Sequence, residues 1–474
     1  MAAPKWKENK LKVGPAGIPS EYTFEVVEHR ITNQTNADKN SNKFFSIELW
    51  KCSDGKWRVY TNYGRVDDNE YSGAAGIYGP GNESEAQSFF EKKFKSKCTA
   101  SKGYQEIQFV RAKVGSPTAR QRTNKITEDE IPEEKKKKLN ENVVKKKSAT
   151  KKIDIHPTVK RLVEQWYRES SRTITSNADV TITSDGIETP LGVLTFSQIN
   201  TGRSILGELG EALKDNNDVE VRKLTGAFYS NIPAKLGRKI TDEDLINTDT
   251  LIQDKLDLLQ MMEDALDVGG ATFVSDVDQK FMELGIEAYP LAKTDSEYNR
   301  IEAGIKKSRG HNHYGTTDKV LNILEVKLGA DRDRYNKCTI GNEMELYHGS
   351  RNCNLLGLMN KGLLIAPPSA PVSGYMFDRG VYLADASTKS INYSLYSFPG
   401  MGHVTNCFLL ICKSKIGKQK KLQHSDYNAS KYCIGKSAKF DSVMGCKGPS
   451  LIHNEYIVYT LEQTTITHVV ELQR

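Results

Sequence analysis

Three short segments in the last third of the chain contain residues that could meet around one flat, polar ligand. In chain order they read LYHGS, SGYMFDRGVYLADASTKSINYS and NEYIVYT. The last is strand-like, and a carboxylate in a strand that buries its faces is costly unless something uses it. The residues that could act together are His348, Gly349, Tyr382, Ser390, Tyr393 and Glu455.

These residue types suit a planar amide attached to a sugar. Gly349 has no side chain, so its backbone N–H and C=O can approach a planar amide closely. Tyr382 and Tyr393 could stack on the two faces of a flat ring, and the Ser390 hydroxyl could reach the ring's substituent. Glu455 would add one charge to such a pocket. The set indicates NAD⁺, bound with its nicotinamide ring buried.

The chemistry that such a pocket supports is cleavage of the bond between nicotinamide and ribose. The leaving nicotinamide is already cationic, so the step requires no general acid. The ribose gathers positive charge in the transition state, as sugars do in glycoside cleavage. A carboxylate bonded to a ribose hydroxyl stabilises that charge and can help to orient an acceptor, which is the role we expect for Glu455.

Short strands are the elements expected to position these residues. From about residue 291 onward, β-prone stretches alternate with turns and a few helices. This pattern predicts a mixed α+β domain over 291–474, built mainly on antiparallel sheet. The β-prone stretches are VLNILEVK, MELYHGS, RGVYLAD, CFLLICK and NEYIVYT.

The chain before residue 291 divides into four regions of different composition. We predict a flexible tail over 1–20, a β-rich unit with one helix over 21–110, a basic linker over 111–152 and an all-α bundle over 153–290. The whole is therefore expected to be a multidomain protein.

Helix starts in these regions are indicated by capping residues and proline. Ser84 and Gln87 are expected to form the capping box of the single helix in the β-rich unit. In the bundle, Pro157 is expected to open the first helix, and Thr195 with Gln198 to cap a second. The periodic run LIQDKLDLLQMMEDAL predicts a third.

Composition and charge exclude several classes of protein. The 474 residues contain no apolar run that would span a membrane, and MAAPKWKENK does not read as a secretory signal. Eight cysteines without a CxxC pair predict reduced thiols and no zinc site.

The positive charge of the chain is concentrated in the linker. Arg111–Lys152 has 14 Lys and Arg against six Asp and Glu, a surplus of eight in a chain of net charge +7. This linker is a solvated spacer, a nuclear-targeting segment or a nucleic-acid contact.

Taken together, these motifs resemble the poly(ADP-ribose) polymerase family. HGS, the GYMF and GVYLAD segments, TKSINY and NEYIVY resemble its catalytic domain. LGVLTFSQI and LTGAFYSNIP resemble the helical regulatory domain of its DNA-dependent members, and WRVYTNYGRV resembles their WGR domain. The order of these regions is also that of the family, which implies a WGR domain, a helical domain and an ADP-ribosyltransferase fold.

The resemblance implies a role for each site residue. The catalytic residues would be His348, Tyr382 and Glu455, with His348 on a ribose hydroxyl of the adenosine side and Glu455 on the nicotinamide ribose. Gly349 and Ser390 would hold the nicotinamide amide. The residues expected to bind NAD⁺, which is consumed as a substrate, are His348, Gly349, Ser350, Tyr375, Tyr382, Ser390, Tyr393 and Glu455.

Departures from the family pattern concern DNA and the acceptor. Tyr63, Gly64 and Arg65 stand where the WGR domain has Trp-Gly-Arg, and Arg65 would either bind DNA phosphates or dock against the helical domain. Leu364 replaces an arginine that many relatives place near adenine. The stretch over 440–459 is shorter than expected on the acceptor side, which bears on the length of the product.

We therefore expect a nuclear ADP-ribosyltransferase that is stimulated by broken DNA and modifies proteins, itself included. The helical domain would cover the NAD⁺ site until DNA binding loosens it. An accessory factor could complete the acceptor site, and no membrane partner is expected. No metal ion is expected either, because His311 and His313 lack a third ligand. The alternatives are transfer of single ADP-ribose units, and a DNA-end-binding scaffold whose transferase activity has lapsed.

Overall fold

The structure, a computed structural model, forms two compact units, each of which is described separately. One contains residues up to 154 with 188–198 and 225–245, and the other contains 155–187, 199–224 and 246–474. The residues described are 8–11, 22–66, 74–99, 101–107, 154–178, 180–183, 186–237, 239–267, 276–310, 319–366, 375–395, 405–436 and 438–474. Among them, no helix combines the length and the apolar character that crossing a membrane requires. The basic linker, His311 and His313 lie outside these ranges.

A six-stranded antiparallel sheet in the order β1-β5-β4-β3-β2-β6 forms most of the first unit. Alternation along β3 places Phe45, Ile47 and Leu49 on one face, where they pack with Phe90 and Phe94 of α1. The elements are β1 (Glu8–Leu11), β2 (Phe24–Asn36), β3 (Ser41–Cys52), β4 (Trp57–Arg65), β5 (Ala74–Gly81), α1 (Glu83–Lys95) and β6 (Gln105–Ile107).

Two details of this unit differ from the sequence-based expectation. Residues 8–11, inside the predicted flexible tail, form an edge strand of the sheet. The capping box of α1 is formed by Asn82 and Glu85, not by Ser84 and Gln87. The Asn82 side chain accepts from the Glu85 backbone at 2.9 Å, and the Glu85 carboxylate accepts from the Asn82 backbone at 3.0 Å. The helix therefore begins earlier, because Asn82 satisfies its first donors.

The region between the two sheet domains is helical, as predicted, and also contains a short three-stranded sheet of β7, β8 and β9. Pro157 occupies the first turn of α2. The predicted cap of α3 is present, since the Thr195 N–H donates to Gln198 Oε1 at 3.1 Å and the Gln198 N–H donates to Thr195 Oγ1 at 3.3 Å. The elements are α2 (Pro157–Asn177), β7 (Thr181–Thr183), β8 (Gly186–Thr189), β9 (Gly192–Val193), α3 (Phe196–Lys214), α4 (Asp218–Asn231), α5 (Asp249–Asp267) and α6 (Val277–Leu284).

Two sheets organise the C-terminal region. A five-stranded antiparallel sheet has the order β10-β11-β18-β14-β12, and a four-stranded sheet has the order β13-β17-β16-β15 with only β15 and β16 parallel. Each of the five predicted β-prone stretches forms a strand. The elements are β10 (Ile286–Pro290), α7 (Ser296–Lys307), β11 (Val320–Leu328), α8 (Gly329–Lys337), β12 (Glu343–Gly349), α9 (Leu355–Lys361), β13 (Val381–Leu383), α10 (Ser387–Leu395), β14 (Asn406–Lys415), β15 (Gln419–Leu422), β16 (Ser442–Gly445), β17 (Glu455–Val458) and β18 (Thr464–Gln473).

Helix α2 belongs to the hydrophobic core of the C-terminal sheets. Val159, Leu162 and Trp166 are fully buried in one cluster with residues of β11, β12, β14 and β18. On the same helix, Arg161 binds the Glu471 carboxylate through both terminal nitrogens, at 3.0 and 2.6 Å. Because these side chains are part of the core of the C-terminal sheets, α2 contributes to the stability of the C-terminal domain.

Candidate active site

The candidate active-site residues lie on neighbouring strands of the C-terminal region. His348 is near the end of β12, Tyr382 is at the centre of β13 and Glu455 opens β17. β13 pairs with β17 so that Tyr382 lies opposite a residue two positions after Glu455. A backbone bridge between Tyr347 and Ala384, with N–O distances of 2.8 and 2.9 Å, joins β12 to the end of β13. Sheet pairing thus brings the three residues into one region although they are far apart in sequence.

The His348 ring is fixed by a backbone carbonyl. Its Nδ1 lies 2.9 Å from the Tyr382 carbonyl oxygen. Because a carbonyl only accepts, Nδ1 must hold the proton in this contact. Burial lowers the pKa of His348 below its ordinary value, against the opposing effect of this hydrogen bond. The ring is therefore neutral near pH 7, with Nε2 as an acceptor suited to a hydroxyl donor.

Gly349 packs directly against the backbone of α10. A Cβ added at Gly349 would collide with the carbonyl oxygen of Ser390, so a residue with a side chain would push the strand and helix apart. Ser390 is buried, and Tyr393, one turn further along α10, is exposed. Ser350, the next residue after Gly349, accepts a hydrogen bond from Asn354 Nδ2 at 3.0 Å. α10, which contains Ser390 and Tyr393, thus has the backbone of Ser390 against the end of β12.

The Tyr382 hydroxyl has two fixed partners. It donates to the Asp378 carbonyl at 2.7 Å and accepts from the Phe377 N–H at 2.9 Å. Its ring centroid lies 6.0 Å from that of Tyr375, with an interplanar angle of 42°. Burial raises the pKa values of both tyrosines, so their hydroxyls stay protonated and neutral. The Tyr382 ring is thereby held in one orientation.

Glu455 is buried and paired with a lysine. The residue is 7% exposed, and Lys389 Nζ of α10 lies 2.8 Å from its Oε1. The same ammonium donates to the carbonyls of His453 at 3.2 Å and Asn454 at 3.5 Å. An acid can open this buried strand because the lysine offsets the cost of burying its charge. Among the described residues, no side chain bonds Oε2, which is available to a hydroxyl donor.

Asp385 holds the residues on both sides of Glu455. Its Oδ2 accepts from Asn454 Nδ2 at 2.9 Å and from the Tyr456 hydroxyl at 3.1 Å. Neither Asp385 nor Lys389 was among the site residues predicted from the sequence. The signal available for both was their position within GVYLADASTKSINY, where Asp385 lies five residues before Ser390 and Lys389 directly precedes it. Their partners, some 70 positions away, could not be read from local pattern.

Helix α5 of the helical region contacts the loop that follows β12. Arg351 Nη1 lies 3.1 Å from Asp254 Oδ1 and 3.3 Å from Asp257 Oδ2. The Asp257 carboxylate is also close enough to raise the pKa of Tyr375, after the larger effect of burial. Burial raises the pKa of Asp257 itself. One turn of α5 therefore adjoins two loops that border the candidate site.

A second ionic contact secures the other end of α5. Lys361 Nζ at the end of α9 lies 2.9 Å from Asp264 Oδ1 and 2.5 Å from Asp267 Oδ2. A Cβ added at Gly357 would collide with the Asp264 carboxylate, so the two helices approach closely there. With the Arg351 contacts, four acidic side chains along α5 face basic groups of the C-terminal domain.

The predicted Tyr63-Gly64-Arg65 site lies at the end of β4 in the first unit. Tyr63 is 48% exposed. Arg65 donates to the carbonyls of Asn40 at 3.2 Å and Gly237 at 3.1 Å. Gly237 belongs to the helical region, so Arg65 makes the interdomain contact that was one of its two expected roles.

One lysine, Lys97, lies over the exposed Tyr63 ring, and three more are near enough to Lys97 to act on its charge. We call the four the Tyr63 lysine cluster: Lys43, Lys93, Lys97 and Lys102. Lys97 Nζ lies 5.3 Å from the Tyr63 ring centroid and also faces the rings of Phe45 and Tyr104. Burial first, and then the other three lysines, lower the pKa of Lys97. Mutual repulsion of this kind indicates a concentrated positive field, which favours an anion.

Leu364, which the sequence analysis above noted as a departure from the family pattern, is exposed. Among the described residues, no grouping of His, Cys, Asp and Glu could hold a metal ion. All eight cysteines are free thiols.

Comparison with known proteins agrees with this geometry. The chain matches the WGR domain family over 28–111, the poly(ADP-ribose) polymerase regulatory domain over 153–270 and the poly(ADP-ribose) polymerase catalytic domain over 295–474. It is 29% identical to poly [ADP-ribose] polymerase 2-A of Oryza sativa subsp. japonica, over 93% of this chain and 69% of that protein. Identity to poly [ADP-ribose] polymerase 2 is 27% for Arabidopsis thaliana and 26% for Homo sapiens, over 97% and 99% of this chain and 76% and 83% of the relatives.

The fold and the matched catalytic domain define an NAD⁺ ADP-ribosyltransferase, an enzyme that uses NAD⁺ as its substrate. With a WGR domain, a regulatory domain and a catalytic domain in that order, the chain belongs to the poly(ADP-ribose) polymerase family.

Proposed function

We propose that this enzyme transfers ADP-ribose to proteins in the nucleus, itself included, extends it into poly(ADP-ribose) and is stimulated by broken DNA. The observation on which the proposal rests is the convergence of His348, Tyr382 and Glu455 on adjoining strands beside Gly349. The names of the relatives support polymer formation. Transfer of single units is the nearest alternative, and a scaffold without activity is a more distant one.

In the proposed mode of binding, the nicotinamide ring lies against Tyr382 with Tyr393 on its other face. The Gly349 backbone pairs with the amide, and the buried Ser390 hydroxyl reaches the same group. Tyr375 borders the ring through its contact with Tyr382. The two hydrogen bonds of the Tyr382 hydroxyl fix that ring before substrate arrives, so binding costs less ordering entropy.

Glu455 acts on the ribose in this proposal. When the bond to nicotinamide breaks, positive charge develops on the ribose, and the nearby carboxylate stabilises it. Lys389 binds Oε1 and fixes the carboxylate orientation, so that Oε2 accepts from a ribose hydroxyl. In the subsequent transfer the same oxygen orients the hydroxyl of an acceptor. Asp385 is a positioning residue, because it holds both neighbours of Glu455.

The pKa of His348 leads to a prediction for the pH dependence of kcat/KM for NAD⁺. His348 Nε2 must be unprotonated to accept a ribose hydroxyl, and burial lowers its pKa. If His348 had the ordinary pKa of about 6.5, half of it would be protonated at that pH, and kcat/KM would be half of its value at high pH. We expect kcat/KM to stay flat from pH 8 to below pH 6.5 and to fall only at lower pH. His348→Gln should remove this acidic step, and a fall centred at or above pH 6.5 in the parent would contradict the assignment.

Broken DNA is the proposed partner of the first unit. The Tyr63 lysine cluster supplies phosphate-binding charge, and the exposed Tyr63 ring could stack on a base or sugar at a break. Arg65 is directed at Gly237 and contributes through that contact. The basic linker would add a second, less ordered source of positive charge, and its lysine runs support entry into the nucleus.

We predict that the double variant Lys43→Gln with Lys102→Gln binds a blunt DNA duplex more weakly than the parent. The slope of log Kd against the logarithm of the salt concentration should fall by about 0.9 for each lysine–phosphate ion pair that the substitutions remove. Tyr63→Ala should weaken binding with little change in slope. Lys51→Gln with Lys56→Gln is the matched control, because these exposed lysines lie toward the other end of β3 and β4. Anisotropy titrations at several salt concentrations provide the measurement. Equal slopes for both double variants would assign DNA binding to the linker.

Contacts on each side of the regulatory region support its coupling of DNA to catalysis. In the first unit, Asn33 Nδ2 donates to the Tyr229 carbonyl at 3.0 Å and the Thr35 N–H donates to Ser230 Oγ at 2.9 Å, which joins β2 to α4. In the second, α5 pairs with Arg351. The proposal is that DNA favours a state in which these contacts of α5 are weakened and NAD⁺ gains access.

An assay with labelled NAD⁺ tests the proposal. The full-length chain is incubated with and without a nicked or blunt duplex, and products are separated by size. We expect labelled protein, ladders of polymer and a many-fold stimulation by DNA. Single-unit products would support mono-transfer, and DNA binding without any label would support the scaffold. Equal rates with and without DNA would refute the coupling. Addition of nuclear extract fractions to the same assay would reveal an accessory factor as a change in acceptor or product length.

A further inference from the structure

The segment from Lys413 to Lys447 is strongly basic and adjoins the candidate active site. It contains nine lysines against two acids, Asp426 and Asp441. Lys413 and Lys431 have carboxylate partners, at 3.3 Å in Glu343 and 3.1 Å in Asp426. Lys415 donates to the carbonyls of Tyr335 and Cys338. Two acids cannot neutralise nine lysines, and the catalytic roles of the site residues do not account for the surplus positive charge.

Four of these lysines lie in β15 or within two residues of β15 or β16, and we call them the lysine edge: Lys418, Lys420, Lys421 and Lys447. Lys420 and Lys421 belong to β15, the outer strand of the four-stranded sheet, and Lys418 directly precedes it. Lys418, Lys421 and Lys447 are exposed. Within the described part of the chain, none of the four ammonium groups forms an ion pair.

The lysine edge runs toward Glu455 along the sheet. Leu422 pairs with Gly445, and Gly445 pairs with Glu455, so the three residues form one row across β15, β16 and β17. With strands about 4.8 Å apart, the end of β15 is about 10 Å from the backbone of Glu455. Lys447 is closer still, because its backbone N–H donates to Asn454 Oδ1 at 2.8 Å.

Aromatic rings support two of the lysines. Lys418 Nζ lies 5.0 Å from the Phe440 ring centroid, and Lys420 Nζ lies 5.3 Å from that of Tyr432 and 5.6 Å from that of Phe440. Such contacts hold an ammonium over a ring without neutralising it. The charges of Lys418 and Lys420 are thereby held together on the same ring, that of Phe440, beside the outer strand.

We propose that the lysine edge binds the diphosphate groups of the growing ADP-ribose chain and so favours elongation over the first transfer. The inference rests on the proposed polymer-forming function. Each ADP-ribose unit contributes two phosphates, and the chain being extended has its terminal ribose at Glu455. The next diphosphates are tethered to that ribose, so their effective concentration at a surface about 10 Å away is in the millimolar range. Solvent-exposed lysines, which bind a free anion weakly, then suffice. DNA has no such tether to Glu455, and the growing chain is therefore the occupant that the geometry favours.

The test compares two double variants. The lysine-edge variant combines Lys421→Gln and Lys447→Gln. The matched control combines Lys293→Gln and Lys307→Gln, whose lysines are also exposed. Polymer is made by the full-length chain with saturating blunt duplex and labelled NAD⁺, then released and sized. We expect the number of chains started to be unchanged and the mean chain length to fall about threefold or more for the lysine-edge variant alone, with a smaller effect at high salt. Equal chain lengths in the two variants would overturn the proposal.

A direct binding experiment separates this inference from the proposed function. An end-labelled ADP-ribose octamer is titrated into the full-length chain with its DNA sites saturated. We expect about tenfold weaker binding for the lysine-edge variant and no change for the control. If the parent makes no polymer but this difference is observed, elongation fails and the binding surface stands. Loss of affinity for single-stranded DNA of equal charge to the same extent would show a surface for polyanions in general, and the proposal would fall.

Discussion

Glu455→Gln is expected to lower kcat for ADP-ribose transfer by about a hundredfold to a thousandfold, the range found when one preorganised electrostatic group is removed from a transition state. The physical reason is that Gln can still accept from a ribose hydroxyl but has no charge to offset the positive charge on the ribose. Since this interaction forms mainly in the transition state, kcat should fall and KM for NAD⁺ should change little. Steady-state release of labelled nicotinamide with saturating DNA measures both parameters.

The control for this prediction is Glu462→Gln, which removes an exposed carboxylate seven residues further along the chain. It should leave kcat unchanged. Glu455→Gln also leaves Lys389 without its buried counter-charge, so thermal unfolding must be measured in parallel. DNA affinity should be unaltered. A Glu455→Gln protein that is folded and as active as the parent would show that Glu455 has no catalytic role.

The strands that hold the site could be predicted because their side-chain patterns are local. Alternation in KFFSIELWK and the apolar runs CFLLICK and NEYIVYT are properties of neighbouring residues, and each forms a strand. The cap at Thr195 and Gln198 is likewise a four-residue signal. The wrong prediction for the capping box of α1 also concerned a four-residue pattern, because Asn82 and Glu85 satisfy that pattern two positions before Ser84 and Gln87.

What could not be predicted depends on contacts between distant parts of the chain. The pairing of Lys389 with Glu455 spans two elements, and nothing in TKSINY distinguishes a buried ion pair from a solvated lysine. The docking of Arg65 on Gly237 is similar, because sequence left both a DNA contact and an interdomain contact open. In each case the partner is a backbone or a charge that tertiary packing brings within reach.

The position of α2 shows how packing changes the design of an experiment. Periodicity indicates an amphipathic helix but not which surface it covers. Its apolar stripe is buried with the C-terminal sheets, and β10, at residues 286–290, pairs with β11. Deleting 155–290 to test regulation would therefore uncover the catalytic core, and loss of activity would be uninterpretable. Point substitutions on α5 are the better test of regulation.

Asp254→Asn with Asp257→Asn is expected to raise activity without DNA by about fivefold to a hundredfold, the range of typical coupling free energies, while the rate at saturating DNA stays the same. These substitutions remove the partners of Arg351 and so weaken the hold of α5 beside Tyr375. Since DNA is proposed to release the same contacts, the variant should resemble the stimulated enzyme before DNA is added. Initial rates of nicotinamide release with and without a blunt duplex give the ratio directly.

Asp249→Asn serves as the control, because this exposed acid opens the same helix and forms no ion pair with the described part of the chain. A simple loss of stability would lower both rates, whereas release of the site raises only the rate without DNA. The parent should also gain activity without DNA as salt is raised, since partly exposed ion pairs are screened, and the variant should not. If the ratio of the rates with and without DNA is unchanged in Asp254→Asn with Asp257→Asn, the charges of α5 do not carry the coupling. The coupling would then have to act through the apolar contacts on the buried face of that helix.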